Sequence, residues 1–285
     1  MASFVKVEGQ NWFTRRRGDA EGERLLTTGI SQLRVSASPR LRVSEESAYI
    51  RDAFSRAMKK TLILIALAIF GLSCGASADA VNKAIPAPDV DTPAAEANRP
   101  QVAVLAGGCF WGLQGMFEHV QGVTKVVAGY SGGEKATAHY EMVGTETTGH
   151  AESVEITFDP KQISYGQLLR LFFSVAHDPT ELNRQGPDSG PSYRSEIFFA
   201  SPSQERIARA YVEQLTKAKV FASPIVTKIE PLKAFYAAED YHQDYLIHNP
   251  RQPYIVYNDL PKIDALKRVY PQLYRPTPVA LVSAR

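Results

Sequence analysis

The chain has very little cysteine. Two residues among 285, Cys74 and Cys109, exclude a disulfide framework and a structural zinc site built from several thiolates. It also lacks a positive surface where its folded part must lie. Residues 79–285 carry 20 Lys/Arg against 23 Asp/Glu, a formal net charge of −3. No basic stripe suited to a nucleic-acid backbone is present, so no nucleic-acid partner is expected. No internal repeat is visible, which excludes solenoids. There is no His-Glu-x-x-His run. Glu239, His242 and His248, spaced by three and six residues, do not share one helical face. No metal and no cofactor are therefore expected, and His242 reads as a polar packing residue. What is present suffices for a packed core: 44% hydrophobic residues against 22% charged.

One apolar run is conspicuous. Met58-Lys59-Lys60 precedes the stretch Thr61–Ser73, and Ala76-Ser77-Ala78 follows it. A positive start, a short apolar core and an Ala-x-Ala site together form a secretory signal peptide. The run is shorter than the ~20 residues a spanning helix needs, so cleavage is expected over anchoring. Lipid modification of Cys74 ranks below plain cleavage because Gly71 stands where a leucine is usual. Residues 58–78 are thus read as a leader that exports the protein, with the periplasm as destination. Residues 1–57, rich in Arg and Ser without a sustained period, are read as an over-extended reading frame or a disordered segment, with translation starting at Met58. Residues 79–100, with repeated Ala and four prolines, are expected to be a linker. Residues 276–285 are expected to be a loose tail. The folded body is residues 101–275, and nothing in it suggests more than a monomer.

Within that body the pattern predicts a buried strand at 101–106, broken by Gly107-Gly108, then a helix over 109–120 with Phe110, Leu113, Phe117 and Val120 at helical spacing. Strands are predicted at 123–130, 152–158, 195–200 and 225–230. Helices are predicted at 164–177, opened by the capping box Ser164…Gln167, at 203–219 and at 237–247. Long polar loops fill 131–151 and 178–194. Interleaved strands and helices indicate one mixed α/β domain.

Cys109 stands where a strand turns into a helix. Backbone N–H groups and the dipole at a helix start favour negative charge, so a lowered thiol pKa and a raised thiolate fraction are expected. A nucleophilic cysteine is one use of this geometry, and a buried structural cysteine is the other.

Longer motifs bear on that choice. Gly108-Cys109-Phe110-Trp111-Gly112 is followed in order by Ala128–Gly133, Thr148-Gly-His-Ala-Glu152 and His177-Asp-Pro-Thr180. Asn183–Asp188, Ser192-Tyr-Arg-Ser195 and Ala238–Gln243 come after them. Together these resemble the signature of the peptide methionine sulfoxide reductase A family over residues 101–260. The resemblance implies a single mixed-sheet α/β (α+β) domain, a ferredoxin-like α/β plait. It implies reduction of the S epimer of methionine sulfoxide, in proteins or free. It implies Cys109 as nucleophile, Glu152 as acid, Tyr140 and Tyr193 as hydroxyl donors and Asp188 as supporting carboxylate. Phe110 and Trp111 would then form the pocket for the substrate S-methyl group. The product on Cys109 would be a sulfenic acid.

Many members of that family resolve the sulfenic acid with cysteines near the carboxyl terminus. None follows Cys109 here. A single-cysteine enzyme reset by an external thiol is expected, either a thioredoxin-like protein or a small thiol. The chain departs locally from the family pattern: Ala138-His139 replaces a frequent Asn-Pro, and Ser192 replaces a frequent glutamine. The rival readings are a single-cysteine peroxidase, a Cys-dependent amidohydrolase and a non-catalytic exported binding protein.

Overall fold

The computed structural model describes residues 82–93 and 98–281. The leader at 58–78 and the segment 1–57 lie outside the described residues. All described residues belong to one compact unit, Ile63–Arg285.

Six strands form one mixed sheet: β1 Gln101–Gly107, β2 Val123–Ser131, β3 Ala151–Phe158, β6 Ser195–Phe199, β7 Lys228–Pro231 and β8 Phe235–Ala237, in the order β7-β6-β1-β3-β2-β8. A separate two-stranded hairpin pairs β4, Arg184–Gln185, with β5, Asp188–Ser189. The helices are α1 Phe110–Glu118, α2 Tyr140–Val143, α3 Tyr165–Leu171, α4 Pro202–Lys217, α5 Tyr245–His248 and α6 Leu260–Val269. The inner strands β6-β1-β3-β2 are antiparallel throughout. With α1 and α3 as crossovers they have the βαββαβ connectivity of an α/β plait. β7 adds in parallel to β6 and β8 antiparallel to β2.

The period of two in β1 divides the core. Ala103 and Leu105 join the main apolar cluster under the helices, while Val104 and Ala106 meet Phe198 on the opposite face. β3 places Glu152, Val154, Ile156 and Phe158 on one buried face. The expected capping box opens α3. Ser164 Oγ accepts from the Gln167 N–H at 3.1 Å, and the Gln167 side chain accepts from the Ser164 N–H at 2.9 Å. That helix continues as a π turn over Phe172–Ala176 and ends at His177, whose backbone is extended.

Three expectations are corrected. The helix predicted over 237–247 is instead β8, a 3-10 turn at Asp240–His242 and the short α5. Its aromatic side chains are spent on the neighbouring site, which dictates an irregular path. The stretch read as a linker is docked over 82–93. Ile85 is buried, its carbonyl accepts from Arg170 Nε at 2.7 Å, and Asp91 accepts from the Gly166 N–H at 2.9 Å. The tail is pinned as far as Leu281. The Val279 N–H donates to the Glu118 carbonyl at 3.1 Å, and the Leu281 N–H donates to Asp244 Oδ1 at 3.2 Å.

That last contact sits beside a buried acid pair. Neither carboxyl oxygen of Glu118 meets an amide donor, and its neighbour is the Asp244 carboxyl. Burial, then the hydrogen bond shared with Asp244, pushes Glu118 up to about 9. A carboxyl raised in the folded state contributes stability below its unfolded value near 4.5, and that stability is lost as pH rises to about 9. Glu118→Gln keeps a donor toward Asp244 and has no proton to lose. From pH 5 to 9 it should lose less stability than the parent chain, by on the order of 3 kcal/mol, and the loss that remains should come from Glu152. Melting curves across that range check this.

Candidate active site

Cys109 occupies the N-cap position of α1 and makes no side-chain capping bond. Gly108 before it has φ +94°, and Gln185 presses on it so closely that a Cβ would stand 2.6 Å from Gln185 Cγ. Gln185 in turn bridges both backbone groups of Asp178 at 2.9 and 3.0 Å. The hairpin that carries Asp188 is thereby locked to the strand–helix turn that carries the thiol.

The expected lowering of the thiol pKa is overturned. Cys109 is 8% exposed, and its pKa is raised well above the ordinary value, first by burial and then by the Glu152 and Asp259 carboxylates. The Trp111 backbone N–H and the Lys262 ammonium pull the other way and lose. Magnitudes explain the outcome. A helix start is worth about 0.3–1 kcal/mol, and ~2 at most. Full burial moves a pKa by up to ~3–5 units, at about 1.4 kcal/mol each. The resting sulfur is a thiol.

Glu152, 3% exposed, accepts a hydrogen bond from the Phe110 N–H at 3.0 Å. Burial pushes its carboxyl up to about 8; the Phe110 bond opposes this, and the Asp188, Glu146 and Asp259 charges add to it. At neutral pH it carries a proton one residue from the cysteine's helix turn. Tyr140 and Tyr193 are both raised by burial and then by the Glu152 charge, with Cys109 and Asp188 also within electrostatic reach of each. Both phenols therefore remain donors. Asp188 accepts a short hydrogen bond from the Tyr254 hydroxyl. Phe110 and Trp111 pack on His242 at centroid distances of 5.0 and 5.8 Å, and Trp111 stacks on Tyr245 at 3.8 Å. The structure thus brings all seven residues proposed from the sequence into one neighbourhood.

Loops hold the phenols in place. The Arg194 guanidinium pairs with Glu196 at 2.5 Å and donates to the carbonyls of Gly149, His150 and Pro191 at 2.8–3.0 Å. It ties the turn before β3 to the 3-10 turn Pro191–Tyr193. Glu146 clamps the same turn, accepting from the Ser192 N–H and Oγ at 2.8 and 2.7 Å. Glu239 accepts from Tyr130 Oη and from the Tyr140 N–H, both at 2.9 Å.

Four features escaped the sequence reading. Tyr254 stands edge-on to Trp111 at 6.0 Å and is raised by burial, with Cys109 and Asp188 as further causes. His242 is more than packing. Trp111 Nε1–H donates to its Nδ1 at 3.0 Å, so Nε2 of the neutral ring carries the proton, and that buried atom has no partner among the described residues. The others are Glu239 and the pair Asp259–Lys262. The dense tyrosines at 236, 241, 245 and 254 were the available signal, but no period marks them.

A buried thiol, a protonated carboxyl and a ring of phenols lined by aromatics are the groups of a cysteine-dependent oxidoreductase. The comparisons narrow that class. The model of the peptide methionine sulfoxide reductase family matches residues 101–273. A peptide methionine sulfoxide reductase MsrA 2 from Mesorhizobium japonicum is 60% identical over 184 residues, covering 65% of this chain and 94% of that one. Another from Synechocystis sp. is 50% identical over 191 residues, covering 66% and 89%. Among solved structures, reduced Mxr1 from Saccharomyces cerevisiae is 34% identical, with a TM-score of 0.49, covering 57% of this chain and 92% of that one. The chain belongs to the peptide methionine sulfoxide reductase family, and its enzyme activity is the reduction of methionine sulfoxide.

Proposed function

We propose that the chain reduces the S epimer of methionine sulfoxide through a sulfenic acid on Cys109, reset by external thiols. The observation that carries this is the pairing of a buried thiol with a carboxyl pushed up to about 8. Phe110 and Trp111 take the S-methyl group. Tyr140 and Tyr193 donate hydrogen bonds to the sulfoxide oxygen, and Glu152 gives it a proton. That makes sulfur electrophilic enough for Cys109 to attack. The S–S bond made in this attack and the methionine S–O bond then both break as the protonated oxygen passes to the cysteine sulfur, and methionine leaves. Methionine sulfur gains two electrons, cysteine sulfur loses two, and the oxygen remains as the sulfenic acid. One thiol then condenses with it to a mixed disulfide and water, and a second thiol releases Cys109.

The signal-peptide pattern at residues 58–78, if cleaved as its Ala-x-Ala site suits, supports an exported enzyme. Cys109 would then be the sole thiol of the mature body, which requires an external reductant such as a thioredoxin-like protein or a small thiol. Without added thiol, each chain should release one equivalent of methionine from the S epimer and stop, with Cys109 trapped by a sulfenate-specific dione. Mass spectrometry and amino-acid analysis read both. Turnover of the R epimer, or several equivalents without reductant, overturns the proposal. Hydrogen peroxide supplied as the sole oxidant tests the peroxidase rival in the same assay.

A further inference from the structure

Beneath the catalytic turn lies a charge pair that the mechanism leaves unused. Asp259 is fully buried and occupies the N-cap position of α6, yet makes no capping hydrogen bond. Its Oδ1 instead holds the Lys262 ammonium at 2.9 Å, and its Oδ2 has no partner among the described residues. The Lys262 side chain is only 16% exposed. Both groups press on the first turn of α1. A Cβ at Gly112 would stand 2.0 Å from Asp259 Oδ1 and 2.6 Å from Lys262 Nζ. Only glycine admits the pair this close to the helix that begins at Cys109. An acid that forgoes its cap and leaves an oxygen unbonded is a poor way to stabilise a fold.

We infer that Asp259 and Lys262 are positioning residues for the reaction at Cys109: the carboxylate holds the ammonium against Gly112, where its field falls on the sulfur. The inference rests on the reading of Cys109 as nucleophile. Its use is clearest in the reset. With no second cysteine after Cys109, the last step is attack of an external thiolate on the mixed disulfide. That bond breaks with its electron pair on Cys109, which leaves as thiolate and is then protonated. A leaving thiolate with a nearby cation departs faster.

The groups facing the sulfur are Glu152 from β3, Asp259 and Lys262 from the start of α6, and the Trp111 N–H from α1. The phenols of Tyr140, Tyr193 and Tyr254 also have it in electrostatic reach. Of these, Lys262 is the cation, and Asp259 moderates it.

Opposite charges predict opposite effects. In the full chain carrying Cys74→Ser, so that Cys109 is the single thiol, iodoacetamide alkylation is followed against pH by intact mass. Asp259→Asn should lower the alkylation midpoint and Lys262→Met should raise it. Each shift should be about one unit, a tenfold change in thiolate at fixed pH. The double variant should fall between them. Lys262→Arg keeps the charge and should keep the parent midpoint, which carries the test if Lys262→Met does not fold. A purely structural role would open the site in every variant and move all midpoints the same way. That result, or no movement, overturns the inference. Alkylation needs no sulfoxide, so these outcomes are independent of whether the functional reading stands.

Discussion

Cys109→Ser is expected to lose sulfoxide reduction by on the order of 10⁴-fold or more, the scale seen when a nucleophile is removed from a working site. The serine hydroxyl nearly matches the thiol in size, so the binding groups stay in place. What disappears, in the proposed mechanism, is the sulfur that takes the oxygen. An alcohol is far less acidic than a thiol, and the buried surroundings that already hold the Cys109 thiol protonated hold an alcohol more firmly still. Serine also has no sulfenate-like state to store two electrons. The swap places a hydroxyl in a partly apolar pocket at a cost of about 1–3 kcal/mol, within the stability of an ordinary domain. Loss of activity with an unchanged far-ultraviolet spectrum is the expected pair of readings. Retained turnover would assign the chemistry to another group.

The mixed α/β domain was legible because its signals are local and periodic, whereas the plait was legible only through the family resemblance. Alternation in 152–158, the capping box at Ser164 and the Gly107-Gly108 break each arise from a few adjacent residues, and each appears as an element boundary or a buried face. The stretch beyond residue 237 was not legible. Tyr245, Tyr254 and His242 point at Trp111 from an irregular chain, and no period encodes such a path. Docking of residues 82–93 was hidden for a related reason. Pro86 and Pro88 read as linker composition, yet the Pro86 carbonyl accepts from Tyr211 Oη at 2.7 Å. A fixed extended backbone suits a strap as well as a spacer.

The seven residues singled out from the sequence converge in space, but the charge state of the thiol was misjudged. The strand–helix turn was visible in the residues around Cys109, whereas the burial that outweighs it is a sum over distant segments. Glu152, Asp259 and Lys262 lie 43, 150 and 153 positions away in the chain.

Glu152→Gln is expected to slow the first step by ~10²–10⁴, the usual worth of a positioned acid, and to change the shape of its pH dependence. The amide oxygen can still accept from the Phe110 N–H, so the geometry survives while the transferable proton does not. In the proposed mechanism the productive form of the parent enzyme has Glu152 protonated and Cys109 ionised. Glu152 is the acid form below about 8, and Cys109 ionises well above its ordinary value. Below pH 8 the acid is in place and the rate grows with the thiolate, tenfold per unit. Above about pH 8 each gain in thiolate is cancelled by loss of acid, so the profile should flatten there and fall once the thiol has titrated. The two steps belong to the coupled pair. In Glu152→Gln the bend near pH 8 should vanish and the weak residual rate should continue to rise until Cys109 ionises. Removing the Glu152 charge also brings that midpoint down, since it is the second cause of the raised thiol. Stability should move the opposite way to activity. A carboxyl raised from 4.5 to about 8 loses its stabilising contribution as pH climbs between those values, so the glutamine variant should melt higher than the parent above pH 8. Single-turnover rates and melting curves from pH 6 to 10 read both effects. A variant that keeps the bend near pH 8 would place the proton donor elsewhere.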